Sequence, residues 1–184
     1  YRAVNKVIDR VINKLDRKED KNKGLIWHWQ GSGKTLEMIF AANKLYHLRQ
    51  MENPSIFFIV DRLDLEEQLY QEFTALDITR PELIDNIDQL RRVIKYDGGK
   101  GKRGMMITLI HKFRPEELNI LQKEIEEISK NGETILTRQN VIAFVDEGHR
   151  TQYGTLAAQM RYIFQNAFFF AFTGTPISKG GKDT

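Results

Sequence analysis

One nine-residue stretch limits the folds open to this chain more than any other: Trp27-His28-Trp29-Gln30-Gly31-Ser32-Gly33-Lys34-Thr35. Its end, Gly-Ser-Gly-Lys-Thr, has the residue types of a loop that wraps a phosphate chain. Such a loop turns several backbone N–H groups inward, and glycine lets the backbone turn tightly and come close to the ligand. Gln30, Gly31, Ser32 and Gly33 form the expected cradle, Lys34 would meet the phosphates of ATP as a point charge, and the Thr35 hydroxyl would ligate Mg2+. The strict pattern has glycine where this chain has His28. A phosphate loop works between a buried strand and a helix, whose positive N-terminal end adds to the anion site. Both flanks qualify. Gly24 to Trp27 is short and apolar, with Trp27 expected in the core, and Leu36 to Leu48 carries a broad apolar face.

The rest of the chain alternates in the same way. Val4, Val7, Ile8, Val11, Ile12 and Leu15 recur at helical spacing, so the first 16 residues read as an amphipathic helix. Further strands are expected at Ser55–Val60, Met105–Ile110, Val141–Val145 and Ala167–Phe172. Helices are expected after Asp61-Arg62-Leu63-Asp64, with Asp64 and Glu67 spaced as a capping box, around Ile87, Leu90 and Ile94, after Pro115, and over Leu156–Phe164. The strands are apolar on both faces. That pattern predicts an α/β fold of three layers, a mainly parallel sheet covered by helices on both sides, as one domain over residues 1–184. The run Lys95 to Gly104 is rich in glycine and positive charge. It reads first as a mobile, exposed loop, and second as a phosphate contact for nucleic acid through Lys100, Lys102 and Arg103.

In such sheets ligands sit at the carboxyl ends of the strands. Polar residues fall at five of those ends: Trp27 to Lys34, Asp61-Arg62, Thr108 to Phe113, Asp146-Glu147-Gly148-His149, and Thr173-Gly174-Thr175-Pro176. An apolar strand ending in Asp146 suits a carboxylate near Mg2+, opposite the loop hydroxyl, and Glu147 can hold and polarise an attacking water. Lys34 and Glu147 are therefore the candidate catalytic residues, and Thr35 and Asp146 the candidate metal ligands. The chain has no cysteine, which excludes disulfides and thiolate metal sites. A net charge of +3 allows a polyanionic partner without requiring one. No apolar run reaches membrane-spanning length and no leader pattern is present, so a cytoplasmic location and no membrane partner are expected. Tyr1 in place of an initiator Met and the polar run Ser178 to Thr184 lead to the expectation of a piece of a longer protein.

Taken in order, Gly-Ser-Gly-Lys-Thr, Asp146-Glu147-Gly148-His149 and Thr173-Gly174-Thr175-Pro176 resemble motifs I, II and III of superfamily 2 helicases and translocases, whose motor domains are RecA-like. Gly24 to His28, Val60 to Gln68, Asp146 to Gly154 and Phe172 to Ile177 are similar, more narrowly, to the motor (R) subunit of type I restriction enzymes. Gly148 stands where that family usually has Ala. The resemblance implies an ATP-driven motor that pulls double-stranded DNA, with cleavage by a nuclease domain elsewhere in the parent enzyme. It implies methylation and specificity subunits as partners, and a facing motor domain that supplies an arginine. His149, Thr173 and Thr175 would couple nucleotide state to movement, and Arg62 joins Lys100, Lys102 and Arg103 as a candidate DNA contact. Another superfamily 2 DNA or RNA helicase, and a nucleotide-binding switch, remain as alternatives.

Overall fold

The computed structural model describes residues 2–27, 33–146 and 160–174. The described chain runs α1 (Arg2–Leu15), β1 (Lys23–Trp27), α2 (Lys34–Tyr46), β2 (Ser55–Val60), α3 (Leu63–Ala75), β3 (Glu82–Ile84), α4 (Ile87–Lys95), β4 (Gly104–Leu109), α5 (Pro115–Ser129), β5 (Val141–Asp146) and β6 (Phe168–Thr173). Six strands form one sheet in the order β1-β6-β5-β2-β4-β3, and every neighbouring pair is parallel.

The apolar runs make this sheet because alternate side chains point to opposite faces, and both faces are covered. In β2, Ile56, Phe58 and Val60 enter one core with α1, α2 and α3, while Phe57 and Ile59 enter the other with α4 and α5. Phe58, Phe144 and Phe170 follow one another across three adjacent strands, with ring centroids 5.5 Å and 5.9 Å apart. On the opposite face Phe57 packs on Phe164 at 4.6 Å. Right-handed crossover connections explain which helix takes which face. The helices that carry the chain toward β3, α2 and α3, lie on the first face. Those that carry it back toward β1, α4, α5 and the turn at 160–163, lie on the second.

Four expectations need correction. Trp27 is not in the core: β1 is an edge strand, and Leu25 and Trp27 are 55% and 44% exposed. Asp64 does not cap α3, because the helix begins at Leu63 with Arg62 at the cap position; Asp64 instead accepts hydrogen bonds from the Arg62 guanidinium. β3 is a short strand that the apolar pattern did not mark. The Lys95–Gly104 run is wound tightly rather than extended into solvent. Gly99 and Gly101 are buried, and Lys102 N–H donates to the Val93 carbonyl at 2.8 Å while Ile135 N–H donates to that of Gly99 at 2.8 Å. Of the expected helix at 156–164, only 160–164 falls among the described residues; 160–163 is helical and Phe164 lies in the turn that follows.

Arg138 fastens the amino-terminal edge of the sheet. Its side chain is 1% exposed. The guanidinium donates to Ser55 Oγ and Asn140 Oδ1, both at 3.0 Å, and to the Lys100 carbonyl. Ser55 Oγ passes the chain on to the Lys102 carbonyl at 2.6 Å, and Asn140 Nδ2 donates to that of Met51 at 2.8 Å. Three connecting segments are thus pinned where β2, β4 and β5 begin. Burial, then repulsion from Arg103, lowers the Arg138 guanidinium from the ordinary arginine value to about 10. It stays charged at neutral pH.

Arg138→Met should cost about 1–3 kcal/mol, because it leaves buried acceptors without a donor; the urea midpoint measures this. A cation whose folded pKa is lowered binds its proton more weakly in the folded state. Its contribution is therefore constant below pH about 10 and becomes more favourable only as pH rises above that, toward the ordinary arginine value. The gap between wild type and variant should accordingly be flat between pH about 6 and about 9.

Candidate functional site

Because all six strands point the same way, their carboxyl ends share one edge. Across it stand Trp27 on β1, Thr173 on β6, Asp146 on β5 and, just past β2, Asp61. Trp27 is in register with Thr173, and Asp146 with Phe172. The turn before α2 and the end of β5 thus flank the β6 terminus from either side. Gly33 sits at the α2 cap position with φ of 87°, a left-handed conformation that glycine takes without strain. The helix then starts at Lys34, with its N-terminus at this edge.

Lys34 reaches over the end of β6, and its Nζ lies 3.8 Å from Asp146 Oδ1. Their side chains are 15% and 7% exposed. Thr35 and Thr173 are buried beside them. The Thr35 hydroxyl and the Asp146 carboxylate are hard oxygen donors on the two elements that meet here, and their chemistry fits Mg2+. Among the described residues no group of three or more His, Cys, Asp or Glu side chains forms a metal cluster, so a Mg2+ ion here would take further oxygens from a nucleotide and water. Beside Gly33, α1 and α2 enclose a recess of about 340 Å³ walled by Val4, Leu36 and Phe40, with Glu37, Asn43 and Lys44 on its polar side. An apolar recess with a few convergent polar groups is the usual form of a small-molecule site. The sequence reading missed it, although Leu36 and Phe40 are spaced one helical turn apart.

Gln30, Gly31, Ser32, Glu147, His149 and Thr175 lie outside the described residues. Arg62 lies on the same edge, at the start of α3, exposed and paired with Asp64, whose hydrogen bond and charge hold its guanidinium above the usual arginine range. The other candidate DNA contacts are elsewhere. Lys100, Lys102 and Arg103 precede β4, so they lie at the opposite, amino-terminal edge. Lys100 pairs with Asp97 and Lys102 with Glu82, while Arg103 donates to the Asn53 carbonyl.

Comparison with known proteins assigns the chain. The SWI2/SNF2 ATPase model matches residues 1–184. The chain belongs to the SWI2/SNF2 ATPase family. Over its whole length this SWI2/SNF2 domain is 34% identical to the type I restriction enzyme HindI endonuclease subunit of Haemophilus influenzae. It is 32% identical to the putative type I restriction enzyme MjaVIIIP endonuclease subunit of Methanocaldococcus jannaschii. It spans only 18% of each of those relatives. A nuclease-deletion mutant of the Type ISP restriction-modification enzyme LlaGI, solved in complex with a DNA substrate mimic, superposes with a TM-score of 0.52. At 14% identity, covering 92% of this chain and 17% of that one, the likeness speaks to the α/β fold alone. No helix among the described residues is long and apolar enough to cross a membrane.

A second polar cluster lies at the far end of the same edge. Lys112 Nζ donates to both carboxylate oxygens of Glu66 at 3.1 Å and to Asp85 Oδ1 at 2.7 Å. Burial pulls Lys112 down, but its hydrogen bonds to Asp85 and Glu66 outweigh that and hold it above the usual lysine range. The cluster ties α3, the turn after β3 and the 3₁₀ turn after β4 (Ile110–Lys112) together. Glu66 shares its helix face with Leu69 and Phe73, both buried, and this spacing is the sequence signal for a buried carboxylate. Lys112→Met should cost about 2–4 kcal/mol, since it strands the Glu66 charge. In a double-mutant cycle, Glu66→Gln should recover part of that loss, read from urea midpoints; additive losses would mean the two do not act as a pair.

Proposed function

We propose that this SWI2/SNF2 domain binds and hydrolyses ATP as the first motor domain of a type I restriction endonuclease R subunit, and that the work drives double-stranded DNA past the parent enzyme. The observation that carries the reading is Lys34 Nζ at 3.8 Å from Asp146 Oδ1, on the edge where the glycine turn and the N-terminus of α2 meet. A cation, a buried carboxylate, a buried threonine and a left-handed glycine there match what a bound triphosphate requires.

In this reading the Lys34 ammonium turns from Asp146 to the β- and γ-phosphates. Mg2+, held through Thr35 and Asp146, supplies charge neutralisation. Gln30, Gly31, Ser32 and Gly33 wrap the phosphates, Val4, Leu36 and Phe40 take the base, and Glu147 accepts the proton of the attacking water. His149, Thr173 and Thr175 couple nucleotide state to movement. Thr173 suits that part because it ends the strand lying between the Lys34 turn and Asp146. Double-stranded DNA and the methylation and specificity subunits are the partners, with Arg62 the candidate DNA contact nearest this edge. The relatives' names and whole-chain identity support the restriction-enzyme context.

Two substitutions in the full-length parent protein test this. Lys34→Ala should weaken nucleotide binding by roughly 10- to 100-fold, the worth of a charge-assisted contact, and abolish turnover. Glu147→Gln should leave nucleotide affinity within a few-fold while turnover falls by roughly 10²–10⁴, because the amide cannot take a proton. Calorimetry and phosphate release separate the two effects. Wild-type turnover in Lys34→Ala, or equal losses of affinity and turnover in Glu147→Gln, would overturn the assignment.

A further inference from the structure

α2 carries two stripes of side chains. Met38, Ala42 and Leu45 are buried in the core. A second stripe, Gly33, Leu36 and Glu37, Phe40, Asn43 and Lys44, follows the three- and four-residue spacing that lines up one helix face, and it walls the recess beside the glycine turn. Leu36 and Phe40 are 37% and 44% exposed, so the apolar wall they form with Val4 of α1 stands open to solvent. Asn43 closes the far end. It is half-buried, and its backbone carbonyl accepts from the His47 N–H at 3.2 Å. Among the described residues its side-chain amide makes no hydrogen bond. Lys44 beside it is drawn to α1, where its Nζ donates to Asn5 Oδ1 at 3.4 Å.

The helix orders these groups as a nucleotide orders its own parts. At 1.5 Å per residue, Phe40 lies about 10 Å and Asn43 about 15 Å along the axis from Gly33. With phosphates at the glycine turn, a base lies against the Phe40 ring, which offers a stacking surface to any base, and its outer edge meets Asn43. A ligand that enters here strips water from the amide, so it must return both a donor and an acceptor or leave a polar group unpaired. The Asn43 carbonyl and NH2 stand side by side. Adenine is complementary to that pair, with the N6 amino donor next to the N7 acceptor. Guanine presents two acceptors, O6 and N7, and would set O6 against the Asn43 carbonyl. A lysine suits the guanine pair, but Lys44 is directed to Asn5.

We propose that Asn43 is a specificity-determining residue of this site, whose side-chain amide selects adenine over guanine for a base stacked on Phe40; the proposal rests on the nucleotide reading given above. The test measures binding of ATP, GTP, inosine triphosphate and inorganic tripolyphosphate to the full-length protein by calorimetry. Tripolyphosphate has no base and reports the phosphate site alone. The unmodified protein should bind ATP roughly 10- to 100-fold more tightly than GTP or inosine triphosphate, the worth of a bidentate pair. Asn43→Leu should bring the three nucleotides close to equal and leave tripolyphosphate binding level. Asn43→Lys should reverse the order of ATP and GTP, because an ammonium donates to O6 and N7 alike. Equal affinity for ATP and inosine triphosphate in the unmodified protein overturns the proposal without any substitution. So does an unchanged preference in the two variants, or a loss in Asn43→Leu that ATP and tripolyphosphate share. Tripolyphosphate binding with no gain for ATP removes the base site and leaves the phosphate site standing. No binding of tripolyphosphate at all removes the nucleotide reading, and this proposal with it.

Discussion

The parallel direction of all six strands is the constraint from which the remaining features follow. A parallel neighbour cannot be reached by a hairpin, so each step from strand to strand passes through a crossover. The crossovers cover both faces, and the central strands are therefore buried along their whole length, as Ser55–Val60 and Val141–Asp146 are. The same direction gathers all carboxyl ends on one edge. Residues as far apart in sequence as Lys34, Asp146 and Thr173 meet there because of strand order alone. No local motif brings them together.

The two edges of the sheet are built differently. At the amino-terminal edge, buried Arg138 spends its donors on Ser55, Asn140 and the Lys100 carbonyl, and the basic loop before β4 is held by its own carboxylates and backbone bonds. That edge is satisfied within the chain. At the carboxyl edge, Lys34 and Asp146 stand 3.8 Å apart, beyond good hydrogen-bond length. An ion pair at that separation gives up its cation to another anion more readily than a hydrogen-bonded pair does. A pair at hydrogen-bond distance and fully buried would resist that exchange, since moving one partner leaves an uncompensated charge. The looser geometry is what the proposed nucleotide chemistry requires of Lys34.

Much of this was legible in the sequence because periodicity and chemistry agreed. β2 was read to the residue, and α5 follows from Pro115 and the spacing of Leu118, Leu121 and Ile125. The carboxyl-edge constellation followed from polar residues at the ends of apolar runs. What failed did so for physical reasons. Trp27 was assigned to the core because an apolar run looks the same on an edge strand as on a central one, and pattern carries no strand order. Glu82–Ile84 is too short and too mixed to register as a strand. The Lys95–Gly104 run was read as mobile from its glycines. Those at 98, 99, 101 and 104 instead adopt positive φ, which lets a tight path form, and Lys102 and Arg103 are drawn to partners distant in sequence. Glu66 and Lys112, 46 residues apart, meet only through tertiary packing.

β1 joins these threads. It carries the turn that leads to Lys34, yet it is the strand with the least of its surface covered. Its inner face tolerates little change, because Phe170 already occupies the space a side chain at Gly24 would need. On its outer face Leu25 and Trp27 are 55% and 44% exposed, so among the described residues the two faces of this strand differ in how much change they would accept.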